Sequence, residues 1–212
     1  MVALLVGLAV LVACAIAASS GRVGPIEREA FEAINGLSGS LEPAMLAAQF
    51  LGVLVAGLVV AVLALIARRP RLALAALLVT IGKLLAERIL WKIVQRERPG
   101  TTAPAAIVRG DTATAGLSFV SGHVVLTTGL AWVVTPYLKG AWRIVPWLVV
   151  GLVAFARVYL GAHNPLDVLG GIGLGLVIGG GVNLALGVPE PLYPPSSTGA
   201  PTNDPYSVHE PS

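Results

Sequence analysis

The feature that most constrains this chain is a succession of apolar stretches near the length of a membrane-spanning helix. Such a helix needs about 20 predominantly apolar residues. The sequence supplies Val2 to Ala18, Ala44 to Ala67, Leu72 to about Trp91, Val124 to Leu138, Trp142 to about Tyr159 and Pro165 to Leu186. The stretch from Val124 is short, and Lys83, Glu87 and Arg88 interrupt the one from Leu72. With 56% hydrophobic and 12% charged residues and a mean hydropathy of +0.84, the chain lies far from an average soluble domain. The expected fold is all-α and integral to the membrane: a bundle of six transmembrane helices forming one domain over residues 1–188. Residues 189–212, rich in Pro, Ser, Thr and Gly (Pro194-Pro195-Ser196-Ser197-Thr198-Gly199), cannot bury enough apolar surface to fold. They are expected to form a disordered tail in which His209 is idle.

Basic residues in the connections set the expected orientation. Arg68, Arg69 and Arg71 fall between spans two and three, and Lys139 and Arg143 between four and five. On the other side, Arg22 and Arg28 are diluted by Glu27, Glu29, Glu32 and Glu42. This pattern predicts a plasma or inner membrane protein with both termini cytoplasmic and the connections 20–43, 96–123 and 159–164 facing outward. Cys14 is the only cysteine, so no intrachain disulfide forms. Leu11-Val12-Ala13-Cys14 resembles a lipoprotein processing site, but no Lys or Arg precedes the apolar run, which argues against cleavage. The net charge of +3 comes without a basic stripe interleaved with aromatics, so nucleic acid is not an expected partner.

The outward connections and adjoining helix ends collect the residues that carry chemistry: Arg96-Glu97-Arg98-Pro99, Ser121-Gly122-His123, Arg157, and His163-Asn164-Pro165-Leu166-Asp167. Each suits an anion. Ser121 precedes a helix as a candidate N-cap, leaving first-turn N–H groups free to point at a ligand, and Gly122 permits close approach. Asn164 followed by Pro165 is a strong helix start, with Asp167 at the third helical position. There a carboxylate is favoured by the dipole and can orient His163 by accepting a hydrogen bond. Arg98 and Arg157 present planar forks to phosphate oxygens. No metal-ligand motif occurs, and no cofactor is expected.

These pieces resemble the three signature motifs of the type-2 phosphatidic acid phosphatase superfamily, which also contains the vanadium haloperoxidases. The third motif fits best, with Arg157, His163 and Asp167 at the required spacing around Tyr159-Leu160-Gly161-Ala162-His163. In the second, Ser121, Gly122 and His123 match but Val120 stands in place of proline. In the first, Arg98-Pro99 is present, yet Trp91 occupies the lysine position and Lys92 lies one residue out of register. That offset is about 100° of helix rotation. Lys92 would reach a phosphate only from an unwound helix end, or Arg88 would substitute. Ala156 replaces the motif serine.

The resemblance implies hydrolysis of a lipid phosphate or diphosphate through a phosphohistidine. His163 would be the nucleophile, Asp167 its orienting carboxylate and His123 the proton donor to the leaving oxygen. Lys92, Arg98, Ser121, Gly122 and Arg157 would hold the phosphate. An isoprenoid diphosphate is placed slightly ahead of a phosphatidic-acid-type lipid. A phosphotransferase using the same residues, or a catalytically silent lipid-phosphate binder or transporter, stands as the alternative. Three further features are read as structural: a Lys83–Glu87 pair on one helix face, the glycines of span six as packing points, and Arg109-Gly110-Asp111 as a solvated turn.

Overall fold

The computed structural model describes residues 1–103 and 105–188; the segment expected to be a disordered tail lies outside the described residues. Among those described, regular structure is entirely helical. The helices are α1 (Val2–Ala18), α2 (Pro25–Asn35), α3 (Glu42–Gln49), α4 (Leu54–Ile66), α5 (Pro70–Ile93), α6 (Pro99–Thr102), α7 (Gly122–Val134), α8 (Val145–Tyr159) and α9 (Pro165–Ala185). Glu97 and Leu117 form an isolated antiparallel bridge.

α7 is the axis of the fold, with Val124, Val125, Leu126 and Val133 inaccessible to solvent. It packs against α5, α8 and α9, and α9 in turn packs closely on α1. Small residues make that approach possible. A Cβ on Gly173 would lie 2.7 Å from the Leu11 nitrogen, and one on Gly7 would lie 2.6 Å from the Gly173 carbonyl oxygen. Gly170, Gly171, Gly175 and Gly179 bring α9 equally close to Phe119, Ser121, Thr128 and Trp132. Where lipid offers no hydrophobic drive, such close van der Waals contact is what holds helices together. The outer faces are apolar instead: Leu5, Val12 and Ile16 on α1, and Val55, Val62 and Ile66 on α4, are exposed.

Two helical segments, Gly140–Tyr159 (a 3₁₀ turn continuing into α8) and Pro165–Ala185, are long and apolar enough to cross a membrane. A third span is obtained if Gly39–Gly52 and α4 count together, although they meet at an angle of 59°. The sequence predicted that region, Ala44 to Ala67, as one span. Instead the helix passes through a 3₁₀ turn at Phe50–Gly52 and breaks at Val53, whose backbone is extended (φ −77°, ψ 157°). Beside the break Gly52 packs closely on α7, where a Cβ would lie 2.7 Å from the His123 Cβ.

The connection between α1 and α3 also holds more structure than its charges suggested. α2 buries Glu27, Phe31 and Asn35 on one face and leaves Arg28, Glu29 and Glu32 outside. This is the 3.6-residue periodicity of an amphipathic helix.

Candidate active site

The site is built where the first turns of α7 and α9 meet. α7 begins after Ser121, the N-cap residue in extended conformation, whose side chain makes no capping bond. Its Oγ is buried without a hydrogen-bond partner, while its backbone N–H donates to the Asp167 carbonyl at 2.9 Å.

α9 starts at Asn164 and Pro165, as the sequence predicted. The Asp167 Oδ2 accepts the Asn164 N–H at 2.9 Å, and Oδ1 accepts from Arg96 Nη1 at 3.4 Å. Arg96 is wholly buried; its Nη2 donates to Glu27 Oε2 at 2.5 Å, and Glu27 Oε1 accepts the Leu166 N–H at 2.9 Å. Two carboxylates and one guanidinium therefore close the α9 start. Sequence reasoning placed Arg96 among the motif residues without a role and counted Glu27 only among the loop charges that set the orientation. Their partnership spans 69 positions, and no local pattern reveals it.

The turn between α8 and α9 explains the spacing of Arg157 and His163. Gly161, at φ +72°, ends α8 in a left-handed conformation that costs glycine nothing. A Cβ there would also press on the Ile107 carbonyl oxygen at 2.6 Å. The chain folds back so that the Arg157 carbonyl accepts both the Ala162 and His163 N–H groups, at 3.1 and 3.2 Å. Arg157 is buried, with Nη1 donating to Gln49 at 2.5 Å and Nε unpartnered. Arg98, half-buried, donates from Nη1 to the Ala162 carbonyl at 3.0 Å.

His163 is buried, and its Nδ1 lies 3.8 Å from Asp167 Oδ2. The sequence predicted a hydrogen bond there; the separation is too long for one, and Nδ1 has no partner. The Asp167 oxygens serve Arg96 and the helix start instead. Burial and the charges of Arg157 and Arg98 push the His163 pKa well below its ordinary value, opposed by a hydrogen bond to the Ser118 backbone. Burial likewise lowers the Arg98 pKa, opposed by Asp167 and Glu87. His123, on the first turn of α7, stands within electrostatic reach of Arg157, His163, Lys83 and Arg98.

Two sequence candidates fall outside this cluster. α5 remains helical through Ile93, so its end is not unwound, and Lys92 and Arg88 are exposed. Arg109 is neither a solvated residue nor part of the site. It is buried, donates to the Tyr159, Asn35 and Leu37 carbonyls at 2.6, 2.8 and 3.1 Å, and lies 4.1 Å from the Tyr159 ring centroid. Among the described residues no group of three or more His, Cys, Asp or Glu is arranged to hold a metal ion.

The sequence profile of the PAP2 superfamily matches residues 71–187, more than half of the chain. The chain belongs to the PAP2 superfamily. LpxE of Aquifex aeolicus has a similar fold, with a TM-score of 0.62 at 22% identity over 73% of this chain and 92% of that one. A transmembrane PAP2-type phosphatidylglycerolphosphate phosphatase from Bacillus subtilis superimposes with a TM-score of 0.63 at 23% identity, over 85% of this chain and 95% of that one. No curated protein sequence matches the chain. The PAP2 profile covers α5 through α9 and with them Arg98, Ser121, Gly122, His123, Arg157, His163 and Asp167. α2 and its Glu27 lie before the matched region.

Proposed function

We propose that this PAP2 protein is a membrane lipid phosphatase that hydrolyses a lipid-linked phosphate or diphosphate through a phosphohistidine intermediate, without a metal. The observation that carries the proposal is the presence of unpartnered polar groups and cations around the starts of α7 and α9. The Ser121 hydroxyl and the Arg157 Nε are both buried and unpartnered, and the Arg157 and Arg98 charges both act on His123 and His163. Buried polar atoms without partners are costly, and a phosphate bound beside them would satisfy both.

In this reading neutral His163 attacks phosphorus, and the P–O bond to the leaving group breaks as the P–N bond forms. His123 passes its proton to the departing oxygen. Water, giving a proton back to His123, then attacks phosphorus as the P–N bond breaks, which releases inorganic phosphate and restores both histidines. Arg98, Arg157, Ser121 and the Gly122 amide hold the equatorial oxygens, where phosphoryl-transfer enzymes concentrate their stabilisation. Asp167 acts on the His163 ring electrostatically across 3.8 Å while anchoring the α9 start.

An apolar groove of about 870 Å³ supports a lipid substrate. Its walls include Phe50, Val53, Thr127, Leu130, Val134 and Trp142, so it begins one helical turn along α7 from His123 and runs toward the other end of that helix. A phosphate at the α7 start would leave its hydrocarbon chain beside this groove. We place the substrate nearer to an isoprenoid diphosphate than to a phosphatidic-acid-type lipid.

The direct test is phosphate release by the purified protein in detergent. Activity is expected to persist in EDTA and to be inhibited by orthovanadate, which offers a trigonal bipyramidal anion to cationic and amide donors. Loss in EDTA that added Mg²⁺ restores would overturn the metal-free chemistry. A phosphorylated acceptor in place of free phosphate would identify a phosphotransferase.

We further propose six spans with both termini cytoplasmic and the site facing outward, from the basic residues Arg68, Arg69, Arg71, Lys139 and Arg143 on one side. A cysteine introduced at Thr114 should react with an impermeant reagent in intact cells. Labelling only after permeabilisation would invert the topology.

A further inference from the structure

A lysine lies beside the phosphate site at a position other than the one the family motif singles out. Lys83 and Glu87 form an ion pair at 2.6 Å, with only 12% and 14% of their side chains exposed. Both pack against Gly122: a Cβ built there would meet Glu87 Oε1 first, and then Lys83 Cε at 2.7 Å and Lys83 Nζ at 2.8 Å. Gly122 is the first helical residue of α7, so the ammonium rests against the backbone where the open first turn begins. The pair is also coupled to the site charges, Lys83 acting on His123 and Glu87 on Arg98.

Helix geometry separates this lysine from Lys92. Nine residues of α5 at about 100° each amount to roughly half a turn, which puts Lys92 on the face opposite Lys83, and Lys92 is exposed. A buried intrahelical pair is weak as a stabilising device, since desolvating two charges offsets most of their attraction. Ionisable groups inside a membrane bundle are rare and mark function. An ammonium has three donors; the Glu87 bond leaves two for phosphate oxygens.

We propose that Lys83, reaching from the interior of the bundle, binds the transferring phosphate at the start of α7, and that Glu87 positions it there. The proposal rests on the phosphatase reading for its substrate. It assigns the lysine of the anion site to the face of α5 that meets Gly122. The absence of a side chain at residue 122 then has a second use, leaving space for the Lys83–Glu87 pair.

The test compares the double substitution Lys83→Met with Glu87→Leu, which leaves no orphaned charge, against Lys83→Arg and Lys92→Met. The readouts are orthovanadate inhibition of phosphatidic acid hydrolysis in detergent micelles and the rise in melting temperature on adding orthovanadate. The double variant is expected to weaken vanadate about ten- to hundredfold, the usual worth of a charge-assisted hydrogen bond. Lys83→Arg should recover most of that loss, and Lys92→Met should lose at least tenfold less. Wild-type vanadate affinity in a cooperatively melting double variant overturns the proposal and leaves the phosphatase reading intact. If the double variant does not melt cooperatively, Lys83→Gln is read the same way. If the wild type releases phosphate from neither phosphatidic acid nor an isoprenoid diphosphate but is stabilised by vanadate through Lys83, the anion site stands and the hydrolase reading falls. No vanadate binding by the wild type sinks both.

Discussion

The first turns of α7 and α9 lie side by side, linked by the Ser121 N–H and the Asp167 carbonyl, yet they are finished in opposite ways. At α9 the protein supplies its own anions to the backbone: Asp167 takes the Asn164 N–H, Glu27 takes the Leu166 N–H, and Arg96 lies between the two carboxylates, although Asn164 Oδ1 and Arg96 Nε are buried there without partners. At α7 no side chain caps the helix, the Ser121 hydroxyl has no partner, and residue 122 has no side chain. Both helix starts carry the same partial positive charge and the same orphan N–H groups. One is used as scaffold and the other is left for a ligand. On the proposed function the open start is where the phosphate binds, and the network at the other start holds the groups around it in place.

The largest effects should come from removing chemistry at the open start. On the proposed mechanism, His163→Ala is severe for every substrate, because no leaving group replaces a missing nucleophile. His123→Ala is expected to cost roughly 10²- to 10⁴-fold on a lipid monophosphate, the range of general acid catalysis. It should cost distinctly less on a diphosphate or an aryl phosphate, whose leaving groups need less protonation. The measurement is kcat/KM for two variants on three substrates in detergent. Equal losses for His123→Ala would make it a phosphate-binding residue, and substantial turnover by His163→Ala would end the covalent mechanism.

The closed start should fail in a different currency. Arg96→Met leaves Glu27 and Asp167 buried without their shared cation, and breaking a buried ion network by removing one partner costs about 3–5 kcal/mol. We expect a melting temperature in detergent well below that of the wild type. The loss of activity should follow the loss of folded protein. A variant that melts with the wild type yet has lost catalysis would place Arg96 at the phosphate instead of in the scaffold.

How much of this was legible in the sequence follows the same division. The start of α9 could be read directly, since Asn164, Pro165 and Asp167 act within one turn of one another. The Arg157–His163 spacing was equally local, being a helix end plus the Gly161 turn. What escaped was decided by residues far apart. Glu27 meets Arg96 only after α2 docks beside α9, and Gly52, next to the break at Val53, meets His123 of a distant helix. Lys83 and Glu87 were legible as a pair, but that Gly122 of another helix faces them was not. Lys92 was drawn into the site by proximity to the Arg98-Pro99 motif, whereas the helix that carries it stays wound and turns it outward. Arg109 is the mirror case: a residue in a turn-like tripeptide became a buried tie among α2, α8 and their connecting segments.

The finest test of the comparison is Ser121→Ala, because a cap and a ligand donor predict different things for the same hydroxyl. Replacing a serine that caps a helix typically costs about 1 kcal/mol of stability. Here the hydroxyl accepts no first-turn N–H and is buried without any partner. Deleting it therefore removes an unsatisfied polar group, and the melting temperature should hold or rise slightly. Turnover should behave differently, because a hydroxyl donating to a phosphate oxygen forms a charge-assisted bond. Its loss is expected to lower kcat/KM by about tenfold or somewhat more. The two quantities are measured on one sample, by thermal unfolding and by phosphate release. A variant that loses about 1 kcal/mol of stability while keeping wild-type kcat/KM would show that Ser121 is an ordinary cap. The α7 start would then be closed like its neighbour, and the anion would have to bind elsewhere.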